Sequence, residues 1–234
     1  MQRNNVVFIT GTDTGVGKTL ATALILQHLR GRGIHAVASK PFCSGGLEDV
    51  ELLQSLQGGE LSHRQMNPYY FKKQVAPLVE LQEKGRKIRL KAVVGHLKKL
   101  SAKCDILLVE GAGGLLVPLG TDFFVIDLMA ALNCSVLLVS RNRLGTINHT
   151  LLSLKALQTL GNTIDRQAIL MMSEGEKDPS MESNLGMIQR FAKKLPVFSL
   201  PFLGKKVMKK RKIIKIEKNF RAELEQITRV LVKH

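Results

Sequence analysis

Nine residues near the start of the chain, GTDTGVGKT at 11–19, have the types and order that cradle a phosphate. The usual phosphate loop places four residues between its first glycine and its Gly-Lys-Ser/Thr. Here five residues separate Gly11 from Gly17, so the loop is one residue long for the pattern. The chemistry it offers is still complete. Backbone N–H groups of Gly15, Val16, Gly17 and Lys18 can face phosphate oxygens, and the helix that follows adds its positive end. The Lys18 ammonium can bridge β- and γ-phosphates, and the Thr19 hydroxyl can ligate Mg²⁺. The nucleotide-binding set expected from this stretch is Thr14, Gly15, Val16, Gly17, Lys18 and Thr19.

Three further clusters could act beside it. Lys40 stands before Pro41, at the end of an apolar run, in SKPFCSGG (39–46). Glu110 closes DILLVE, and a carboxylate at a strand end facing a phosphate loop is where a nucleotide-bound Mg²⁺ takes a second protein ligand. Gly111, Gly113 and Gly114 follow it and let backbone approach a ligand closely. GTINH at 145–149 opens a helical pattern, so Gly145, Thr146, Ile147 and Asn148 can present N–H groups to a carboxylate. Thr146 or Asn148 can serve there as a plain N-cap as well. His149 is given no catalytic role.

These clusters need elements to hold them. Apolar runs with β-branched residues predict strands at Val6–Thr10, His35–Ser39, Asp105–Val109, Ser135–Ser140, Ala168–Met172 and Pro196–Leu200. Helical spacing predicts helices at Lys18–Arg30, Val93–Ser101 and Asn148–Leu160. Strands that are apolar throughout and alternate with helices indicate α/β architecture, a parallel sheet covered on both faces. Ligands of such sheets bind beyond the carboxyl ends of the strands. Gly11–Thr19, Lys40–Ser44, Glu110–Gly114 and Arg141–Asn148 each follow a strand, which places all of them at that one edge. Residues 1–234 read as a single domain with a basic segment at 204–218.

Composition narrows the classes. The formal charge is +16, and Gly204–Lys218 holds eight Lys/Arg against one Glu. That concentration reads as a solvated basic segment, with anion attraction as the sharper alternative. Cys43, Cys104 and Cys134 have neither metal-type nor C-x-x-C spacing and fit buried thiols of a reducing compartment. No apolar run approaches the roughly 18 residues that span a bilayer, and nothing resembles a signal peptide. A cytoplasmic protein without membrane or nucleic-acid partner is expected.

Taken in order, GTDTGVGKT, SKPFCSG, VEGAGGLLVPL and RLGTINHTLLSL resemble the dethiobiotin synthetase family, as do NPYYF (67–71) and APLVELQEKG (76–85). The likeness covers residues 5 to about 160 and weakens beyond 165. It implies a P-loop NTPase-like fold of the deviant phosphate-loop subclass, whose signature lysine is replaced here by Asp13. It also implies an ATP- and Mg²⁺-dependent cyclo-ligase of biotin biosynthesis. 7,8-Diaminopelargonate takes up CO2 as a carbamate, the carbamate is phosphorylated, and the second amine closes a ureido ring. In that scheme Lys18 and Lys40 are catalytic, and Thr19, Asp49 and Glu110 hold the metal, with Glu48 or Glu51 competing for the place of Asp49. Ser44, Gly111 and Gly113 contact substrate. Gly145, Thr146, Ile147 and Asn148 hold the substrate carboxylate from the partner subunit of a homodimer.

The chain departs from the family at two places. Met171, Met172 and Ser173 stand where an adenine-reading Asn is expected, and a lysine-rich stretch replaces a second base-contacting segment. CTP and GTP are therefore expected to serve beside ATP. Two other readings compete. A regulatory deviant-loop ATPase requires the signature lysine that Asp13 replaces. A glutamine-dependent amide ligase requires an added glutaminase domain for which the chain has no room.

Overall fold

The computed structural model describes residues 5–175, 178–192, 195–203 and 218–232. Eight strands alternate with helices: β1 (Val6–Gly11), α1 (Lys18–Gly31), β2 (Ala36–Ser39), β3 (Phe42–Ser44), α2 (Glu48–Leu56), α3 (His63–Met66), β4 (Tyr69–Phe71), α4 (Pro77–Glu83) and α5 (Leu90–Ser101). There follow β5 (Ile106–Gly114), α6 (Val125–Leu132), β6 (Ser135–Asn142), α7 (Thr146–Gln158), β7 (Gln167–Ser173), α8 (Met181–Phe191), β8 (Val197–Leu200) and α9 (Lys218–Leu231).

Six strands form one sheet in the order β2-β5-β1-β6-β7-β8, every pair parallel. The central strand β1 is buried at all positions, as a strand covered on both faces must be. Pairing of β1 with β5 runs in register from Val6↔Leu107 to Ile9↔Glu110, then shifts before Gly11↔Gly114. That irregularity falls where both strands leave the sheet for the phosphate loop and the Glu110 segment. Helices flank the sheet in packed groups: α1 with α2 and α9, α5 with α6, and α7 with α8.

The expected strands are all present with ends moved by one to five residues. The largest change is β5, which continues past Val109 to Gly114, so Glu110, Gly111 and Gly113 lie inside a strand rather than after it. The helix expected from Asn148 starts at Thr146 and ends at Gln158. It begins early because Gly145, at φ 91°, supplies the left-handed turn that precedes it. A second sheet is an addition. Strands β3 and β4 pair in parallel, Ser44↔Phe71, where only a loop after β2 is expected. Three residues are too few for periodicity to register. The rings of Phe42 and Tyr69 stack 5.0 Å apart and anchor this pair, with Phe71 at 6.4 Å.

Helix α9 lies beyond the part of the chain where the sequence predicts elements. It buries Leu224, Ile227 and Leu231, and Val232 just after it is buried as well. Its Glu225 accepts from Arg32 at 2.6 Å and meets His28 at 3.2 Å, tying it to the end of α1. The basic segment 204–218 lies outside the described residues except for the backbone of Lys218.

One glycine of β5 has a packing reason that the sequence conceals. A Cβ on buried Gly111 would stand 2.9 Å from Cε1 of Phe8, a ring fully buried in β1. Gly111→Ala is expected to lose about 1–3 kcal/mol of stability in urea unfolding. In a Phe8→Leu background the added penalty is expected to shrink. Equal penalties in both backgrounds would show that the ring is not the obstacle.

Candidate active site

The phosphate loop connects β1 to α1 and is shaped by two left-handed glycines, Gly15 at φ 72° and Gly17 at φ 99°. Gly17 is the N-cap of α1, so the free N–H groups of the helix start open onto the loop. Asp13, in the place of the deviant-loop lysine, accepts from the N–H of Thr14 at 2.6 Å. The Lys18 ammonium lies within the loop and donates to the Asp13 carbonyl at 2.7 Å.

Beside the loop, four residues from four places in the sequence meet. Glu110 of β5 is fully buried. Its Oε1 accepts from the Lys40 ammonium at 2.7 Å and from the Thr19 hydroxyl at 2.7 Å. Lys40 also donates to Asp49 in the first turn of α2. The backbone of Lys40 is fixed as well: its N–H donates to the Met66 carbonyl at 3.1 Å, and its carbonyl accepts from buried Asn67 at 2.7 Å. Asn67 lies in the NPYYF stretch. Sequence reading gives it no role, because the β3–β4 pairing that brings it to Lys40 is not visible there.

Burial sets the charge states. It pulls Lys18 down from the usual 10.5 to about 8, and the nearby Lys40 charge adds to this against the attraction of Glu110. Lys40 is equally buried, but Glu110 and Asp49 outweigh its desolvation and hold it above the ordinary lysine value. The two ammonium groups thus differ. Lys40 is locked as a cation by two carboxylates, whereas Lys18, facing a carbonyl, gains most from an arriving polyanion.

These groups line a cavity of about 800 Å³. Thr14, Gly15, Gly17, Lys18, Thr19, Lys40, Ser44, Asp49, Glu110, Gly111 and Gly113 all border it. Val16, expected to act through its backbone N–H, buries its side chain in the core and borders a small hollow on the loop instead of the main cavity. Phe42, Val75, Pro77 and Val117 make part of the wall apolar, and Gln74 reaches over Gly45. Cys43 also borders the cavity, and burial raises its thiol to about 11, which keeps it protonated.

Among the alternatives for the third acidic group, the structure joins Asp49 to Lys40, while Glu48 folds back over Gly46. The remaining oxygen of Glu110, Oε2, is buried with no partner among the described residues. A buried carboxylate oxygen left open beside a threonine hydroxyl suits a hard divalent cation. No group of three or more His, Cys, Asp or Glu capable of holding a metal occurs among the described residues.

The remaining expected residues lie elsewhere. Gly145, Thr146, Ile147 and Asn148 do not border the main cavity. Thr146 is buried at the start of α7 and, with His149, Arg141 and Arg143, lines a small hollow beside Thr12–Thr14. Gly145 and Asn148 are exposed, and Ile147 packs on the core edge. Met171 is a core residue, and Met172 packs over Gly17.

The chain compares with known proteins as follows. The family model described as an AAA domain matches residues 5–206. The sequence is 39% identical to ATP-dependent dethiobiotin synthetase BioD of Anaeromyxobacter dehalogenans, over 84% of this chain and 89% of that protein. It is 36% identical to the BioD of Methanococcus vannielii, over 80% of this chain and 88% of that one. It is 35% identical to the BioD of Bacillus subtilis, over 84% of each. In fold it is similar to the MinC:MinD cell division protein complex of Aquifex aeolicus, with a TM-score of 0.63 at 13% identity, covering 98% of each chain. A ParA family ATPase from Chlorobium tepidum gives 0.56 at 14%, covering 98% and 93%. Those two show the P-loop NTPase fold and nothing of activity.

The Lys40–Glu110 pair supplies a stability prediction. Lys40→Met leaves a buried carboxylate unpaired and is expected to lose about 3–5 kcal/mol. Adding Glu110→Gln should recover a large part of that loss. A double variant no more stable than Lys40→Met, measured by denaturant unfolding, would mean the two groups are not coupled.

Proposed function

The chain belongs to the ATP-dependent dethiobiotin synthetase family, and we propose that its site carboxylates 7,8-diaminopelargonate and closes the ureido ring as follows. The observation that supports this reading best is the convergence of Thr19 and Lys40 on Glu110, with Asp49 on the same Lys40 ammonium, beside the phosphate loop. A hydrolase acting on nucleotide alone needs the loop and a metal ligand. It does not need a second buried ammonium on the acceptor side of the cavity.

One amine of the diamine and CO2 give a carbamate, whose oxygen attacks the γ-phosphorus of ATP. The P–O bond to ADP breaks, leaving a carbamic-phosphoric anhydride. The second amine then attacks the carbonyl carbon and expels phosphate. The carbamate, the triphosphate and the mixed anhydride are all anionic, so the protein's task is charge neutralisation and alignment. Lys18 and the loop N–H groups take the phosphates. Lys40 would contact both carbamate and transferring phosphoryl group, and its contact would grow as charge moves between them. Thr19, Asp49 and Glu110 would hold Mg²⁺, which supplies charge stabilisation on the phosphate oxygens. Ser44, Gly111 and Gly113 border the space for the diamine, and the apolar wall suits its alkyl chain.

The substrate's carboxylate is assigned to Gly145, Thr146, Ile147 and Asn148 of a second subunit. Two facts support a homodimer with shared sites: these residues stand apart from their own chain's cavity, and Leu144 and Leu152 beside them are 80% and 59% exposed. No helix among the described residues is long and apolar enough to cross a membrane. A cytoplasmic location accords with the reading.

Phosphate release from ATP is expected to require diaminopelargonate and bicarbonate together. Release that proceeds with either one absent would refute the ligase mechanism. Lys40→Ala is expected to lower kcat by about 10²–10³-fold while changing nucleotide affinity little.

With Met172 packed on the loop rather than presenting paired donor and acceptor groups, base selection is expected to be loose. In steady-state kinetics CTP and GTP should fall within about a hundredfold of ATP in kcat/KM, roughly 2.7 kcal/mol. A larger preference for ATP would mean that another element reads the adenine.

A further inference from the structure

A phosphate loop binds anions through peptide N–H groups, and this works only while the carbonyls of the same peptides face elsewhere. Gly15 is the place where this chain enforces that condition. The Arg141 guanidinium, at the carboxyl end of β6, donates to the Gly15 carbonyl at 2.6 Å. The Gly15 C=O and the Val16 N–H belong to one planar trans peptide and point in opposite directions. Holding the carbonyl on Arg141 therefore aims the Val16 N–H the other way. Arg141 and Val16 both line the small hollow beside Thr12–Thr14, and Gly15 borders the main cavity, so the Gly15–Val16 peptide stands at the boundary between the two.

Arg141 is itself anchored. Its Nε stands 2.9 Å from Glu174 Oε1, just past the end of β7, an ion pair without the alignment of a hydrogen bond. Its side chain is 23% exposed. A Cβ at Gly15 would lie 2.9 Å from the guanidinium, the mobile end of a long side chain, and it is the φ of 72° that calls for glycine there. Across the β6–β7 ladder, the registered partner of Arg141 is Met172. A Cβ at Gly17 would lie 3.1 Å from Met172 Cγ. One ladder pair thus touches both left-handed glycines of the loop, one through charge and the other through packing.

We propose that Arg141 is a positioning residue for nucleotide binding: its guanidinium, anchored by Glu174, fixes the Gly15–Val16 peptide so that the loop presents its N–H groups to phosphate, with Met172 seated on Gly17 as the second brace. The inference rests on the use of a nucleoside triphosphate in this site, and it is independent of which acceptor is phosphorylated.

The test uses the full chain and a nonhydrolysable ATP analogue, with binding measured by titration calorimetry in the absence of the diamine. A charge-assisted hydrogen bond of this kind corresponds to about a tenfold or greater loss of affinity for Arg141→Ala. Added guanidinium ion should restore part of the loss. Glu174→Gln, which leaves the Gly15 contact in place, should weaken affinity less and in the same direction. In turnover, the KM for ATP should rise while the KM for the diamine and kcat at saturating ATP hold. Unchanged analogue affinity in Arg141→Ala overturns the proposal. So does a parallel fall of kcat and both affinities that guanidinium does not relieve, which marks a merely structural residue. If Arg141→Ala does not fold, Glu174→Gln decides alone: unchanged affinity overturns the proposal and weakened affinity supports it. Because binding is read without the diamine, failure here leaves the ring-closing reading standing. Loss of diamine dependence in the wild type would sink that reading alone.

Discussion

A carboxylate with no exposed surface, Glu110, sits in the middle of a parallel sheet's carboxyl edge. Leaving it there unpaired would cost several kcal/mol. The chain answers with a lysine from the turn after β2 and a threonine from the first turn of α1, both on the same oxygen. That single requirement fixes how three segments approach each other. The strand order brings β2 and β1 to either side of β5, so the turn after β2 and the phosphate loop reach Glu110 from opposite flanks. The small β3–β4 sheet and Asn67 then hold the Lys40 backbone in place. In the proposed reaction the same pairing would set the Lys40 charge beside the reacting phosphate.

The division of labour between the two lysines follows from what each faces. Lys40 is matched by two carboxylates and keeps its charge throughout. Lys18 donates to a carbonyl, and burial lowers it to about 8 in spite of the attraction of Glu110. The loop is therefore poised to gain from phosphate, while the acceptor side is already neutralised. Such asymmetry suits phosphoryl transfer, where binding strength and transition-state stabilisation must be supplied by different groups.

Much of this was legible beforehand because the sheet is parallel. Apolar runs such as DILLV and SVLLVS identify buried strands, and polar residues after them must share one edge. Lys18, Thr19, Lys40 and Glu110 could be placed together by that rule alone. What the rule could not reach depends on tertiary pairing. Asp49 sits on a helix whose register with Lys40 is set by packing, so Glu48 and Glu51 looked equivalent. Gly111 reads as a residue for substrate approach, yet its absent side chain also makes room for Phe8. Arg141 carries no motif, and its contact with Gly15 appears only when β6 is laid beside the loop. Met172 departs from the family pattern for base reading, and its contact with Gly17 gives the residue a different occupation.

The central claim is that Lys18, Lys40 and Glu110 surround one transferable phosphate. Anomalous scattering from Mn²⁺, in crystals grown with a nonhydrolysable triphosphate and the diamine, tests it most directly. The account predicts a metal peak within bonding distance of Glu110 and Thr19, with both ammonium groups on the γ-phosphate and the diamine against the Lys40 side. A peak away from Glu110, or a γ-phosphate out of reach of Lys40, would contradict it.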